Sequence, residues 1–362
     1  MKKVAFIKFA GMGSGGIEKY LQTIAILLKK RNYDVDFYYT NAAPFTNGWK
    51  HPDNNEDRKK LVEANGIRTI PIHVDYKIGE REPYEWVGTN FWEIFNEKDY
   101  DFIQTGRGGY SEYPFNIINN CPIIDSIHSF VGEDKPNIKK AILLCKWQAE
   151  KWAASGGNIE KAEIIPSIVY VPNKKPSTLR KILNIPDDIF IYGFHQANRD
   201  DIFSPVSLLS YAQIQNDKTC FVILGGCQQH VNLVKQLNLK NVYFLEFTSS
   251  TEDIHDFLSG IDVFAHARSD GEVCSAAIIE AMYHGKPVIS HPALNMGHAE
   301  QIDGCGKLCN SIEEYALELK KLRNEKDYYE EKSQQTYNRY ELKYNYKKVE
   351  NSIIELYENI KT

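Results

Sequence analysis

Short apolar runs alternate with amphipathic stretches along this chain, and after a polar break near residue 173 the same alternation begins again. Predominantly apolar runs at 4–9, 35–40, 68–74, 102–105, 123–128 and 140–145 suit strands buried on both faces. The stretch 16–30 puts Tyr20, Ile24, Leu27 and Leu28 on one side of a helix, and a further helix is expected at 148–154. Strands separated by helices form parallel sheets, because each parallel neighbour needs a crossover. After the connector Asn173-Lys174-Lys175-Pro176-Ser177, strands are expected at 189–194, 220–224, 242–245, 263–267 and 287–290. The expected fold is α/β, with two Rossmann-like, doubly wound parallel-sheet domains at 1–172 and 173–336. A charged, tyrosine-rich helical tail at 337–362 follows. A chain of 362 residues supports two cores more readily than one.

Composition narrows the function. A formal net charge of −5 argues against a nucleic-acid binder, whose footprint is basic. No apolar stretch reaches the ~20 residues that span a bilayer, so no transmembrane segment is expected, while peripheral contact with a membrane stays open. Met1-Lys2-Lys3 opens directly into a strand rather than a signal peptide. Seven irregularly spaced cysteines suit reduced thiols, and the expected location is cytoplasmic.

The chemistry concentrates between Ser269 and Ser290. Ser275 is a good helix N-cap, with Ala276 and Ala277 as small first-turn residues. The N–H groups of Ala276, Ala277 and Ile278 would then point out of the helix end, where a phosphate binds well. Glu280 lies about a turn and a half further on, and helical side chains lean back toward the N-terminus. Its carboxylate can reach a ribose attached to that phosphate. Glu272 precedes the helix and lies on the sugar side. Gly285-Lys286-Pro287 then reads as a helix stop before a buried strand. The bland alternative makes Glu280 a surface helix residue and Glu272 a solvated loop residue.

Glu272 and Glu280, with seven residues between them, then Ala281-Met282 and Gly285-Lys286-Pro287-Val288-Ile289, resemble the E-x7-E signature of retaining family 4 glycosyltransferases. Gly260-Ile261-Asp262-Val263-Phe264, Val222-Ile223-Leu224-Gly225-Gly226 and Gly15-Gly16-Ile17-Glu18 are similar to further segments of that family, in the same order. The resemblance implies a GT-B architecture, two such domains facing across a cleft, with the last helix crossing back to brace the first. It implies transfer from a UDP- or GDP-sugar to a hydroxyl on a carbohydrate or lipid-linked acceptor, with no cofactor and no metal. Glu280 would bind the ribose, Glu272 the sugar, and Arg199 with the 275–277 amides the diphosphate. Gly15, Gly16 and His128 would complete the site from the other domain. A packing role is the plain alternative for His128.

Other motifs compete. Gly11-x-Gly13-x-x-Gly16 matches a dinucleotide fingerprint after a strand, but the second strand ends Tyr38-Tyr39-Thr40-Asn41, without the acidic residue that binds a ribose. Asp34-Val35-Asp36 and Asp99-Tyr100-Asp101 match a metal-binding D-x-D pattern, yet both stand where strands begin, and they read as structural aspartates on a solvated face. Cys305 and Cys309 near His291 and His298 do not have zinc-site spacing.

The chain departs from the family at two places. The lysine that the family places after its arginine is replaced here by Ile202 or Phe203, with His195, Arg268 and Lys286 as substitutes. Val273-Cys274-Ser275 also stands where Gly-Phe-Gly is common. These changes keep two other readings open: a nucleotide-sugar-binding protein without transfer, and a nucleotide-sugar epimerase. Base contacts are expected near Phe247-Thr248, and acceptor contacts in loops 41–57 and 105–114, the latter with Arg107-Gly108-Gly109-Tyr110.

Overall fold

The computed structural model describes residues 1–8, 11–13, 15–40, 55–73, 89–107, 114–115, 117–128 and 137–360. They form two compact units, Met1–Ile168 with Val349–Thr362, and Val169–Lys348. The chain thus leaves the first unit a few residues before the 173–177 connector and returns to it at Val349.

In the first unit, strands β1 (Lys3–Ile7), β2 (Asp34–Thr40), β3 (Arg68–Ile72), β4 (Phe102–Arg107), β5 (Ile123–Ile127), β6 (Ile138–Leu143) and β7 (Ala162–Ile164) form one sheet in the order β3-β2-β1-β4-β5-β6-β7. Every pairing is parallel. Helix α1 (Gly16–Lys30) buries Tyr20, Leu21, Ile24, Leu27 and Leu28, the face anticipated from its spacing. It approaches β4 so closely that a Cβ on Gly106 would sit 2.9 Å from Ile17 Cγ2, which is why that strand carries glycine.

The second unit repeats the scheme with β8 (Phe190–Gln196), β9 (Thr219–Gly225), β10 (Val242–Leu245), β11 (Val263–Ala265), β12 (Val288–Ser290) and β13 (Lys307–Leu308), ordered β10-β9-β8-β11-β12-β13 and again all parallel. Its core joins Tyr192, Phe194, Phe221, Ile223, Phe264, Ile278, Ile289 and Tyr315. In each sheet the strand order reverses beside the first strand, at β1/β4 and at β8/β11. Open α/β sheets bind ligands beyond the carboxyl ends of their strands at such a switch point.

Two strands went unanticipated, β7 and β13. With three and two residues at the sheet edges, neither has a run long enough to signal. The sequence-based end of the third strand, Val74, lies outside the described residues.

The tail is not one element. It runs through a helix at Lys326–Arg339 in the second unit, then a helix at Tyr346–Asn359 whose residues from Val349 onward belong to the first. There Tyr357 is fully buried, bonds Gln104 through its hydroxyl, and packs on Phe102 at 5.3 Å.

Candidate active site

The carboxyl edge of the second sheet gathers His195 and Gln196 from β8, Gly225 from β9, His266 just after β11 and Ser290 from β12. Gly225 has φ +82°, and a Cβ there would lie 2.2 Å from Gln196 O, so only glycine makes this turn. Phe247, following β10, is exposed beside it.

Glu272 is held from several sides. His266 Nε2 lies 2.8 Å from its Oε2, while His266 Nδ1 lies 2.7 Å from Ser290 Oγ. Arg268 Nη1 is 3.5 Å from Oε1. Burial pushes this carboxyl up, but the His266 hydrogen bond, the Arg268 and His266 charges and a Ser275 hydrogen bond outweigh it and hold it at about 2. Glu272 is therefore an anchored anion with one-fifth of its side chain exposed, not a solvated loop residue.

The helix Ala276–Tyr283, hereafter the site helix, begins as the sequence suggested, with one correction. Ser275 caps it, accepting from Ile278 N at 3.3 Å, so the Ile278 amide is occupied. Among the described residues the amides of Ala276 and Ala277 have no protein partner and remain for an anion. The buried Gln301 clamps the start of the helix: its Oε1 accepts from Ser275 N at 2.7 Å and its Nε2 donates to Ser275 O at 3.1 Å. Glu280 is likewise not a surface residue. Its side chain is 13% exposed, and its Oε2 lies 3.1 Å from His195 Nε2.

Of the candidate cations His195, Arg199, Arg268 and Lys286, the last falls away from this edge. Arg199 is 61% exposed and lies against Asp201 through two nitrogens. Arg268, 20% exposed, donates to both oxygens of Asp270 at 3.0 and 2.8 Å, and its charge interacts with that of Arg199. Lys286 is not at the site. It precedes β12, donates to Ser259 O at 3.1 Å and neighbours Asp262 at the amino edge of the sheet; burial lowers it to about 8.

In the first unit, Gly15 caps α1 without a side-chain bond, and Gly16 has open space where a Cβ would stand. The sterically demanding glycine is Gly11, whose Cβ would meet the Phe37 ring at 2.5 Å. Buried Gln22 ties this turn down, donating to Gly11 O and Gly13 O at 2.8 and 3.0 Å. His128 follows β5 and packs edge-on against Tyr20 at 5.0 Å. Its Nε2 is buried with no hydrogen-bond partner among the described residues. Burial, then the nearby charge of Lys8, lowers it to about 3, so it is neutral near pH 7.

The D-x-D aspartates are engaged elsewhere. Asp36 is buried rather than solvated, bonded by Arg68 through two nitrogens and by Tyr100 Oη at 2.7 Å. Asp101 accepts from Lys3 N at 2.6 Å. Burial pushes the Cys305 and Cys309 thiols up to about 11 and 12. Most of loops 41–57 and 105–114, with the Arg107 side chain, lies outside the described residues. Among the described residues no helix is long and apolar enough to cross a membrane.

Sequence reasoning missed His266 and Gln301. His266 had a signal, a polar residue at the carboxyl end of an apolar strand. Gln301 had none, because it reaches Ser275 from 26 residues away.

Residues 194–339 match the model of the family Glycosyl transferases group 1. No curated protein matches the chain. Among solved structures, Anabaena Alr3699/HepE in complex with UDP-glucose has a TM-score of 0.76 at 17% identity, over 99% of this chain and 100% of that one. A sucrose-phosphate synthase (tll1590) from Thermosynechococcus elongatus gives 0.73 at 17% identity, over 99% and 98%. A glycosyltransferase from Rickettsia africae gives 0.75 at 15% identity, over 99% and 98%. The fold is that of GT-B glycosyltransferases, two parallel-sheet α/β units of seven and six strands. With the family match over the second unit, it supports a glycosyltransferase.

Proposed function

We propose that the protein is a retaining, metal-independent glycosyltransferase of the family 4 type, using a UDP- or GDP-sugar and a hydroxyl of a carbohydrate or lipid-linked acceptor in the cytoplasm. One observation carries the proposal. An anchored carboxylate, Glu272, and a largely buried one, Glu280, flank the open amides of Ala276 and Ala277 at the switch point of the second sheet, inside the segment that matches the family. The UDP-glucose held in the Anabaena complex supports the donor class.

In this proposal the diphosphate sits on the amides of Ala276 and Ala277, with Arg199 and Arg268 exchanging carboxylate partners for its oxygens. Glu280 accepts from the ribose hydroxyls and Glu272 from the sugar, while the exposed Phe247 lies toward the base. The C1–O bond to phosphate breaks through an oxocarbenium-like transition state and the acceptor oxygen bonds C1 on the same face. Its proton passes to the departing phosphate oxygen. Charge grows on that leaving group, so a donor aimed at it is worth about 2.7–4 kcal/mol.

The test is product analysis over a panel of donors and acceptors. The expected result is release of nucleoside diphosphate only with acceptor present, a product with the anomeric configuration of the donor, activity in the presence of chelator, and none in Glu280→Ala. Binding without any product favours a binding protein. Conversion of donor alone favours an epimerase.

A further inference from the structure

Glu280 stands in an unusual setting. His195, next to last in β8, is wedged between the rings of Phe257 and Phe264, with centroids at 6.4 and 5.8 Å. Its Nε2 lies 3.1 Å from Glu280 Oε2, yet off hydrogen-bond alignment, so this buried nitrogen has no bonded partner among the described residues. A second imidazole stands behind. His255, on the helix Thr251–Gly260, joins its Nδ1 to His284 Nε2 at 2.8 Å, and its own Nε2 is buried and unbonded. His255 interacts electrostatically with both Glu280 and His195. His284 caps the site helix at the end opposite Ser275. Buried polar atoms are rarely left unpaired, since each forfeits its hydration. An unbonded His195 nitrogen 3.1 Å from one carboxylate, with the His255 charge interacting with both, marks a place completed by a small rotation and an incoming hydroxyl.

We propose that His195, backed by the His255–His284 pair, is the positioning residue that fixes Glu280 for the vicinal hydroxyls of a nucleoside diphosphate. This rests on the donor class proposed above. A carboxylate grips a diol through both oxygens only if its rotation is restrained. A ring N–H at Oε2 supplies the restraint and leaves Oε1 and the second lone pair of Oε2 for the sugar. The donor is thereby read at the ribose as well as the phosphate, so ribonucleotides are preferred to nucleotides lacking the hydroxyls.

Calorimetric titration with UDP and GDP, and with the 2′,3′-dideoxy diphosphate of the preferred base, tests this. His195→Ala is expected to weaken the ribonucleotide about ten- to a hundredfold, the range for one hydrogen bond to a charged group. It should leave dideoxynucleotide affinity unchanged and raise donor KM with little change in kcat. His195→Gln, whose amide nitrogen can stand where Nε2 stands, should restore most of the difference. If the alanine variant does not fold, His195→Phe keeps the ring packing without the nitrogen and carries the same expectation. Equal losses for both nucleotides would overturn the positioning role alone. A wild-type protein that binds neither UDP nor GDP would overturn the donor class, and this inference with it.

Discussion

The acidic pair behaves as two different residues because its surroundings differ. Glu272 has His266, Arg268 and Ser275 about it and is held at about 2 against an ordinary 4.5. A carboxyl with a depressed folded pKa contributes stability fully above its unfolded value and loses it as pH falls through the folded one. Between pH 4.5 and 2 the unfolding free energy of wild type should therefore fall more steeply than that of Glu272→Gln, as measured by urea titration. Parallel curves would mean that the network does not hold the charge. Both glutamates were legible as a pair, one in the loop before a helix and one inside it. Their pairing with histidines was not, because His195 lies on β8 and His266 just after β11, and only the folded sheet brings them to the carboxylates.

At the scale of elements, the site helix carries the design. Its start is fixed by Ser275 from within and by Gln301 from Gly297–Ile302, so the free amides point one way. Ser275→Ala should cost about 1 kcal/mol through loss of the cap, and it should also raise the Glu272 pKa by removing a hydrogen bond. Thermal unfolding and the pH dependence of stability check the two effects together; a stability loss with no change in acid behaviour would separate cap from site. The apolar runs gave away eleven of the thirteen described strands because buried parallel strands have little choice of residue. The short edge strands β7 and β13 owe their existence to the neighbours they pair with, which no local run records.

Across the whole molecule, burial has left several histidines uncharged. It lowers His128 and His284 to about 3 and His230 to about 4, and it lowers His255, His291 and His298 as well. The unfolded chain takes up these protons first, so the associated stability is complete above about pH 6.5 and declines as pH falls toward the folded values, by up to about 1.4 kcal/mol per pH unit for each imidazole. Calorimetric melting temperatures should therefore drop between pH 7 and pH 5, and unchanged temperatures would contradict these assignments. In the proposed function the second unit holds a nucleoside diphosphate at the carboxyl edge of its sheet. A crystal structure with bound UDP or GDP tests it most directly. Phosphate oxygens are expected at the amides of Ala276 and Ala277, and ribose hydroxyls within about 3 Å of Glu280. Nucleotide bound elsewhere, or a ribose out of reach of Glu280, would contradict it.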